Sequence, residues 1–333
     1  MPERIEQLKN WLSSELDFSE YTLEPASSDA SFRRYFRVLH SGESLVVMDA
    51  PPSREDTRPF VQVSGMFAGL GLNVPQVIDE DPEQGFLLLS DLGSRPYLDA
   101  LNDETVERLY GDALGALATI QACTPGDAPL PVYDQTLLLN EMELCREWLI
   151  GKHLGLTLTG QQSSMLDAAF DLLADSALQQ PQVCVHRDYH SRNLMLTESN
   201  NPGILDFQDA VIGPVTYDLV SLLRDCYIDW PRERVEDWAL GYQTLALQSG
   251  VLQEGYDDPQ QFLRWFDLMG MQRHLKAAGI FARLNHRDGK PGYLGDIPRT
   301  LGYVVEVASR HDDLAAFGEF IDVAVLARLS DAN

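Results

Sequence analysis

The sequence predicts an α+β fold of two lobes, a small β-sheet lobe followed by a larger, mainly helical one. Three observations predict it. Between Tyr21 and Leu89, short aliphatic, aromatic and β-branched runs are separated by turn residues, which reads as strands. After residue 95 the apolar residues move to spacings of three and four and keep them almost to the end of the chain. One stretch, Val183 to Ala210, breaks the helical part with a hairpin rich in polar residues. At 333 residues the chain can bury two such cores, and the division is placed at 92/93, giving lobes 1–92 and 93–333.

Each element has a local reason. Ile5, Leu8, Leu12 and Leu16 mark a short amphipathic helix. Strands are expected over Tyr21–Pro25, Phe32–Leu39 and Ser44–Asp49, with a turn at Ser41-Gly42 and a stop at Pro51-Pro52. Pro59 opens a helix that Gly71 ends. Val74–Asp79 and Phe86–Leu89 complete five strands, and Ser90-Asp91-Leu92-Gly93 breaks the pattern. Helices are expected over 103–122, 136–150, 160–178, 215–228, 232–249, 258–285, 297–310 and 312–330, and further strands near 182–185, 193–197 and 203–206.

Composition excludes several classes of function. The formal net charge is −26, so nucleic acid and anionic membrane surfaces would be repelled. The charged N-terminus lacks a signal-peptide core, and no run approaches ~18 apolar residues, so a cytoplasmic protein is expected. The four cysteines show neither C-x-x-C nor zinc spacing and read as reduced thiols. Basic residues are mostly arginine; the only lysines are Lys9, Lys152, Lys276 and Lys290.

The chemistry concentrates in Val183–Ala210. His186-Arg187-Asp188, with Asn193 five residues past the aspartate, has the spacing of a kinase catalytic loop, and Asp206-Phe207 follows on the hairpin. Asp188 is the candidate base for an attacking hydroxyl. Asn193 and Asp206 offer the hard oxygen donors that Mg2+ prefers. His186 reads as a loop-fixing residue, and Asp218 as a helix cap that can also bond the loop.

HRDYHSRNLM followed by GILDFQDAVIGPVTYDLVSLL resembles the aminoglycoside phosphotransferase and choline kinase superfamily. The loop around 28–37 and the segment RHLKAAGIFARL, 273–284, are similar to the anomeric N-acetylmuramate/N-acetylglucosamine kinases of bacterial cell-wall recycling. The resemblance implies a protein-kinase-like two-lobe fold, ATP and Mg2+ as cofactors, a nucleotide-binding first lobe, and phosphorylation of the C1 hydroxyl of an amino sugar. ATP is the default donor and GTP stays open. Another small-molecule acceptor (an aminoglycoside, choline, homoserine or methylthioribose) is the alternative. A protein kinase is disfavoured because only about ten residues separate Asp206 from the next helix, leaving no activation segment. A catalytically inactive nucleotide-binding module is disfavoured by the complete set Asp188, Asn193 and Asp206.

The chain departs from the kinase pattern in its first lobe. Met48 stands where a third-strand lysine is usual, the following helix carries Gln62 and no acid, and no G-x-G-x-x-G is present. Arg33 or Arg34 is expected to neutralise phosphate, with Ser31 and loop N–H groups assisting, and Leu88 to Leu92, Ser90 and Leu92 among them, to present backbone to the base. His190, Arg192 and Asp209 are candidate acceptor contacts. Arg273, Lys276, Ile280, Arg283 and Arg287 line up at helical spacing as a basic stripe, which would draw an anionic acceptor, with Arg273 as its leading contact; surface ion pairs are the competing explanation. A small amino sugar and ATP are the expected partners. The oligomeric state is left open, a monomer being sufficient.

Overall fold

The computed structural model describes residues 2–27, 32–123 and 130–332. Cα packing divides the chain into two compact units, Met1–Asp112 with Arg192–Asp209, and Ala113–Ser191 with Ala210–Asn333.

The first unit is built on an antiparallel sheet of β1 (Tyr21–Ser27), β2 (Arg34–His40), β3 (Glu43–Asp49), β4 (Val77–Asp81) and β5 (Phe86–Ser90), in the order β1-β2-β3-β5-β4. α1 (Pro2–Asn10, continuing through Glu15) lays Leu8, Trp11 and Leu12 on Val38, Val47, Phe86 and Leu88. Burying each such side chain is worth about 1.5–3 kcal/mol. α2 (Arg58–Gly69) lies between β3 and β4 in the chain, with proline in its first turn as expected. β4 begins at Val77 rather than Val74, because Pro75 has no N–H to give a ladder and Val74 is buried instead. α3 (Tyr97–Ala100) and the start of α4 (Val106–Gln121) follow.

The hairpin β7 (Leu194–Met195) and β8 (Gly203–Ile204) packs in this first unit, not with the helices that surround it in sequence. Ile204 N–H donates to Asn73 O at 2.8 Å, and Leu196 N–H to Arg95 O at 2.8 Å. Phe207 sits against Phe60 and Phe67 of α2, with ring centroids 4.9 and 5.9 Å apart. Packing therefore groups 192–209 with residues 1–112.

The second unit is organised around α9 (Pro259–Asp288), thirty residues long and buried over most of its surface. Asp258 caps its start by accepting from Gln260 N–H at 2.9 Å, and Gly289 ends it in the left-handed conformation at φ 64°. Around it run α5 (Gln135–Leu144, continuing to His153), α6 (Gly160–Leu178), α7 (Tyr217–Leu223), α8 (Arg232–Gln248) and α10 (Ile297–Ala308), then α11 (Ala315–Phe320) and α12 (Ala327–Ala332). β6 (Gln182–Val185) pairs with β9 (Val211–Pro214). β9 was not anticipated from sequence, since its Gly and Pro read as loop residues. No helix among the described residues is long and apolar enough to cross a membrane.

α5 and α9 touch backbone to side-chain position at Gly279, where a Cβ would lie 2.3 Å from Leu144 C. We predict that Gly279→Ala lowers the urea-unfolding free energy by about 1–3 kcal/mol or more, the cost of overpacking a contact that cannot yield. A change below about 0.5 kcal/mol, the ordinary range of neutral substitutions, would show the crossing to be soft.

Candidate active site

The candidate residues fall into two sets, one in each unit. In the second unit, β6 delivers the chain to His186, Arg187 and Asp188. The loop turns sharply there: Arg187 has φ 79°, a conformation uncommon for any residue with a side chain. Asp218, fully buried at the start of α7, holds the turn by accepting from His186 N–H at 2.6 Å and Arg187 N–H at 2.9 Å. Burial, with Asp188 close by, pushes its carboxyl up to about 7 against those two bonds. Asp188 N–H donates to His186 Nδ1 at 3.2 Å, so the histidine acts on the loop backbone. Ser191 N–H and Oγ donate to the buried Asp225 at 2.9 and 2.5 Å and fix the far end of the loop.

Asp188 is partly buried, which alone would raise its carboxyl. Lys276 above all, then His190, Arg187 and Arg273, hold it below the ordinary carboxylate range, so it stands ionised. Lys276 was seen in the sequence only as part of a stripe. Its Nζ lies 2.9 Å from Glu141 Oε1 and 2.9 Å from Tyr217 OH. Arg187 Nη2 binds the same Glu141 oxygen, while Tyr133 OH and, at 3.4 Å, Gln272 Nε2 donate to Glu141 Oε2. Glu141 carried no motif, Tyr217 was only one residue of the quoted GPVTYDLVSLL stretch with no role given to it, and folding brings both to Lys276.

The basic stripe divides. Arg273 and Lys276 are buried, whereas Arg287 is exposed and pairs with its neighbour Asp288 at 2.8 Å. Arg273 donates to Cys226 Sγ at 3.8 Å and, among the described residues, makes no ion pair with a carboxylate. His190 stacks edge-on against Tyr227, ring centroids 5.5 Å apart.

In the first unit Asn193 Nδ2 lies 3.4 Å from Asp206 Oδ2, and Asp206 itself has φ 61°. Asp206 Oδ1 accepts from Gln208 Nε2 at 2.9 Å and from Arg33 Nη2 at 3.4 Å. A carboxylate and a carboxamide thus stand side by side. Among the described residues no three His, Cys, Asp or Glu gather at metal-binding spacing. That donor set fits a small hard cation that keeps water and phosphate oxygens, as magnesium does, rather than an all-protein cage. Arg192 and Asp209 are exposed, Asp209 accepting from Gln208 at 3.3 Å.

Arg33 and Arg34 separate. Arg34 is committed to the fully buried Asp49, donating from Nε at 3.0 Å, and Arg4 of α1 donates to the other oxygen from Nε at 3.2 Å. It lies on the α1 face of the sheet, so alternation along β2 puts it opposite Tyr35 and Arg37. Arg33, just before β2, is the arginine that reaches Asp206. Met48 is buried and Gln62 exposed, so no ion pair replaces the usual one at those positions. Ser31 lies outside the described residues. Ser90 N–H donates to Gln76 O at 3.0 Å, and Leu92 lies close over β8, where a Cβ on Gly203 would sit 3.0 Å from its Cδ1.

Comparison with known proteins decides the family. The Phosphotransferase enzyme family model matches residues 22–262. The chain belongs to the phosphotransferase enzyme family. This phosphotransferase is 48% identical over 334 residues to an N-acetylmuramate/N-acetylglucosamine kinase of Pseudomonas putida, covering 96% of this chain and 97% of that one. It is 49% identical over 329 residues to a kinase of the same name from Pseudomonas aeruginosa, covering 96% of each. The GDP complex of wild-type aminoglycoside 2'-phosphotransferase-IIIa superposes with a TM-score of 0.62 at 16% identity, covering 94% of this chain and 99% of that one. The last likeness shows the fold, which is protein-kinase-like. The protein is an enzyme, an ATP-dependent phosphotransferase.

The segment after β5 is stapled to the sheet by Asp91, which accepts from Arg37 Nε at 2.6 Å, Ser44 Oγ at 2.5 Å and Gly93 N–H at 2.9 Å. Burial would raise its carboxyl, but Arg37, Ser44 and Gly93 together hold it below the usual value. A carboxyl depressed on folding stabilises above its unfolded pKa, about 3.9, and loses that contribution as pH falls through the folded value. We predict that the melting-temperature gap between the phosphotransferase and its Asp91→Asn variant is constant from pH 7 to 5 and closes below about pH 4. A gap independent of pH would remove the ionic account.

Proposed function

We propose that this enzyme transfers the γ-phosphoryl group of ATP to the anomeric hydroxyl of N-acetylmuramate and N-acetylglucosamine, a step of peptidoglycan recycling in the cytoplasm. The observation that carries the reading is the near full-length likeness to kinases named for those sugars.

Asp188 orients the C1 hydroxyl and takes its proton. An anomeric hydroxyl is more acidic than an ordinary alcohol, so an ionised carboxylate with little tuning suffices. Asp206 and Asn193 would hold magnesium, which when bound supplies neutralisation of phosphate charge. Arg33, beside Asp206, adds a guanidinium in place of the missing strand lysine. Ser90 to Leu92 present backbone to the nucleotide base, so residues 1–92 serve mainly the nucleotide and 93–333 the chemistry and the acceptor. His190, Arg192, Asp209 and Arg273 are the acceptor contacts. Arg273 supports the choice of sugar: a buried guanidinium that, among the described residues, makes no direct ion pair suits the lactyl carboxylate of N-acetylmuramate and disfavours a polycationic aminoglycoside.

A coupled assay with N-acetylmuramate, N-acetylglucosamine and kanamycin tests the proposal, with phosphorus NMR of the product. A sugar 1-phosphate from the first two is expected; turnover with kanamycin alone would sink it. Asp188→Asn should lower kcat by about 10²–10⁴-fold while nucleotide binding is retained, the usual loss of a general base. Arg33→Ala should raise the KM for ATP by about tenfold, equivalent to about 1.4 kcal/mol of lost binding. Arg34→Ala should instead lower the melting temperature, leaving Asp49 with Arg4 alone. An unchanged KM for Arg33→Ala would remove the arginine from the nucleotide site.

A further inference from the structure

Arg187, at φ 79°, occupies a backbone conformation that persists only where its surroundings enforce it. Two carboxylates do so. Asp218 takes the backbone N–H of Arg187, and Glu141 takes its guanidinium. Glu141 is not on the loop or next to it in sequence. It comes from α5, whose start is capped by Asp134 accepting from Leu137 N–H at 2.8 Å, and whose end is locked to α9 at Gly279. The same Glu141 oxygen that meets Arg187 also meets Lys276, and its second oxygen accepts from Tyr133 and Gln272. Gln272 and Lys276 lie one turn apart on α9, so both oxygens of Glu141 are held from that helix. Lys276 and Arg187 keep Glu141 ionised despite its burial.

We propose that Glu141 is a positioning residue: through Arg187 it holds the turn that aims Asp188, with Lys276 as the counter-cation that keeps the buried carboxylate in place. The inference rests on the reading that Asp188 carries the chemistry. Kinases that await phosphorylation set such elements by arginine pairing to an added phosphate. Here the anion belongs to the chain, so the turn is set on folding, with no modification required.

The test uses the full chain and steady-state kinetics with ATP, magnesium and N-acetylmuramate, and Asp188→Asn run in parallel. Glu141→Gln keeps the shape and removes the charge. Its kcat should fall by about 10²-fold, the usual consequence of misplacing a reacting group by about 1 Å, while the KM for ATP stays within about twofold. Glu141→Asp should recover part of the loss. Tyr133→Phe, which removes one hydroxyl and keeps the ring, should lower kcat by about 3–10-fold, the scale of one hydrogen bond, and serves if Glu141→Gln does not fold. Wild-type kcat in a folded Glu141→Gln or in Tyr133→Phe overturns the inference while Asp188→Asn remains inactive. So does a rise in the ATP KM that matches the fall in kcat, which marks general loss of structure. Full turnover by Asp188→Asn overturns the reading beneath it instead.

Discussion

Asp218 is where the loop that carries the proposed base is attached to the helical core. It is fully buried, and both its oxygens are taken by consecutive backbone N–H groups of the loop, His186 and Arg187. A buried carboxylate without partners would cost several kcal/mol. With two N–H donors that cost is offset, and the two loop N–H groups are themselves satisfied. The position of Asp188, one residue on, follows from that turn. The remaining buried groups nearby, Glu141, Lys276, Tyr133 and Tyr217, surround and support the same few atoms.

The same device recurs in the sheet. Asp49 ties Arg4 of α1 to Arg34 of β2, and Asp91 ties β2 and β3 to the segment after β5. In a chain with a formal charge of −26, most carboxylates are solvated, but a few are buried as anchors for arginine. Arginine suits this role because its planar fork meets a carboxylate with two bonds and holds its charge when buried. The scarcity of lysine has a structural side: Lys276, one of four, is buried against two anchoring groups rather than left on the surface.

Much of the fold was legible because local pattern and tertiary demand agree. The strands before residue 90 and the helices after 100 follow spacing, proline and glycine, and the observed bounds differ from expectation by a few residues. β9 was missed because Gly213 and Pro214 oppose a strand locally, and pairing with β6 overrides them. The two arginines of the first hairpin show a similar limit. The sequence offered Arg33 or Arg34 for phosphate, but it could not say which face of the sheet α1 covers. Asp49, buried on that face, decides that Arg34 is structural in its contacts.

The sequence by itself singled out the proposed base and metal ligands, because Asp188, Asn193 and Asp206 lie within twenty residues of one another and their spacing is local. It also determined the absence of a third-strand lysine. Only the tertiary structure decided how the loop is held. Asp218 had already read as a cap able to bond the loop, but Glu141 and Lys276 come from two further helices separated by a long stretch of chain. A buried charge can be read as an anchor only when its partner is known, and no periodicity along one segment records a partner on another.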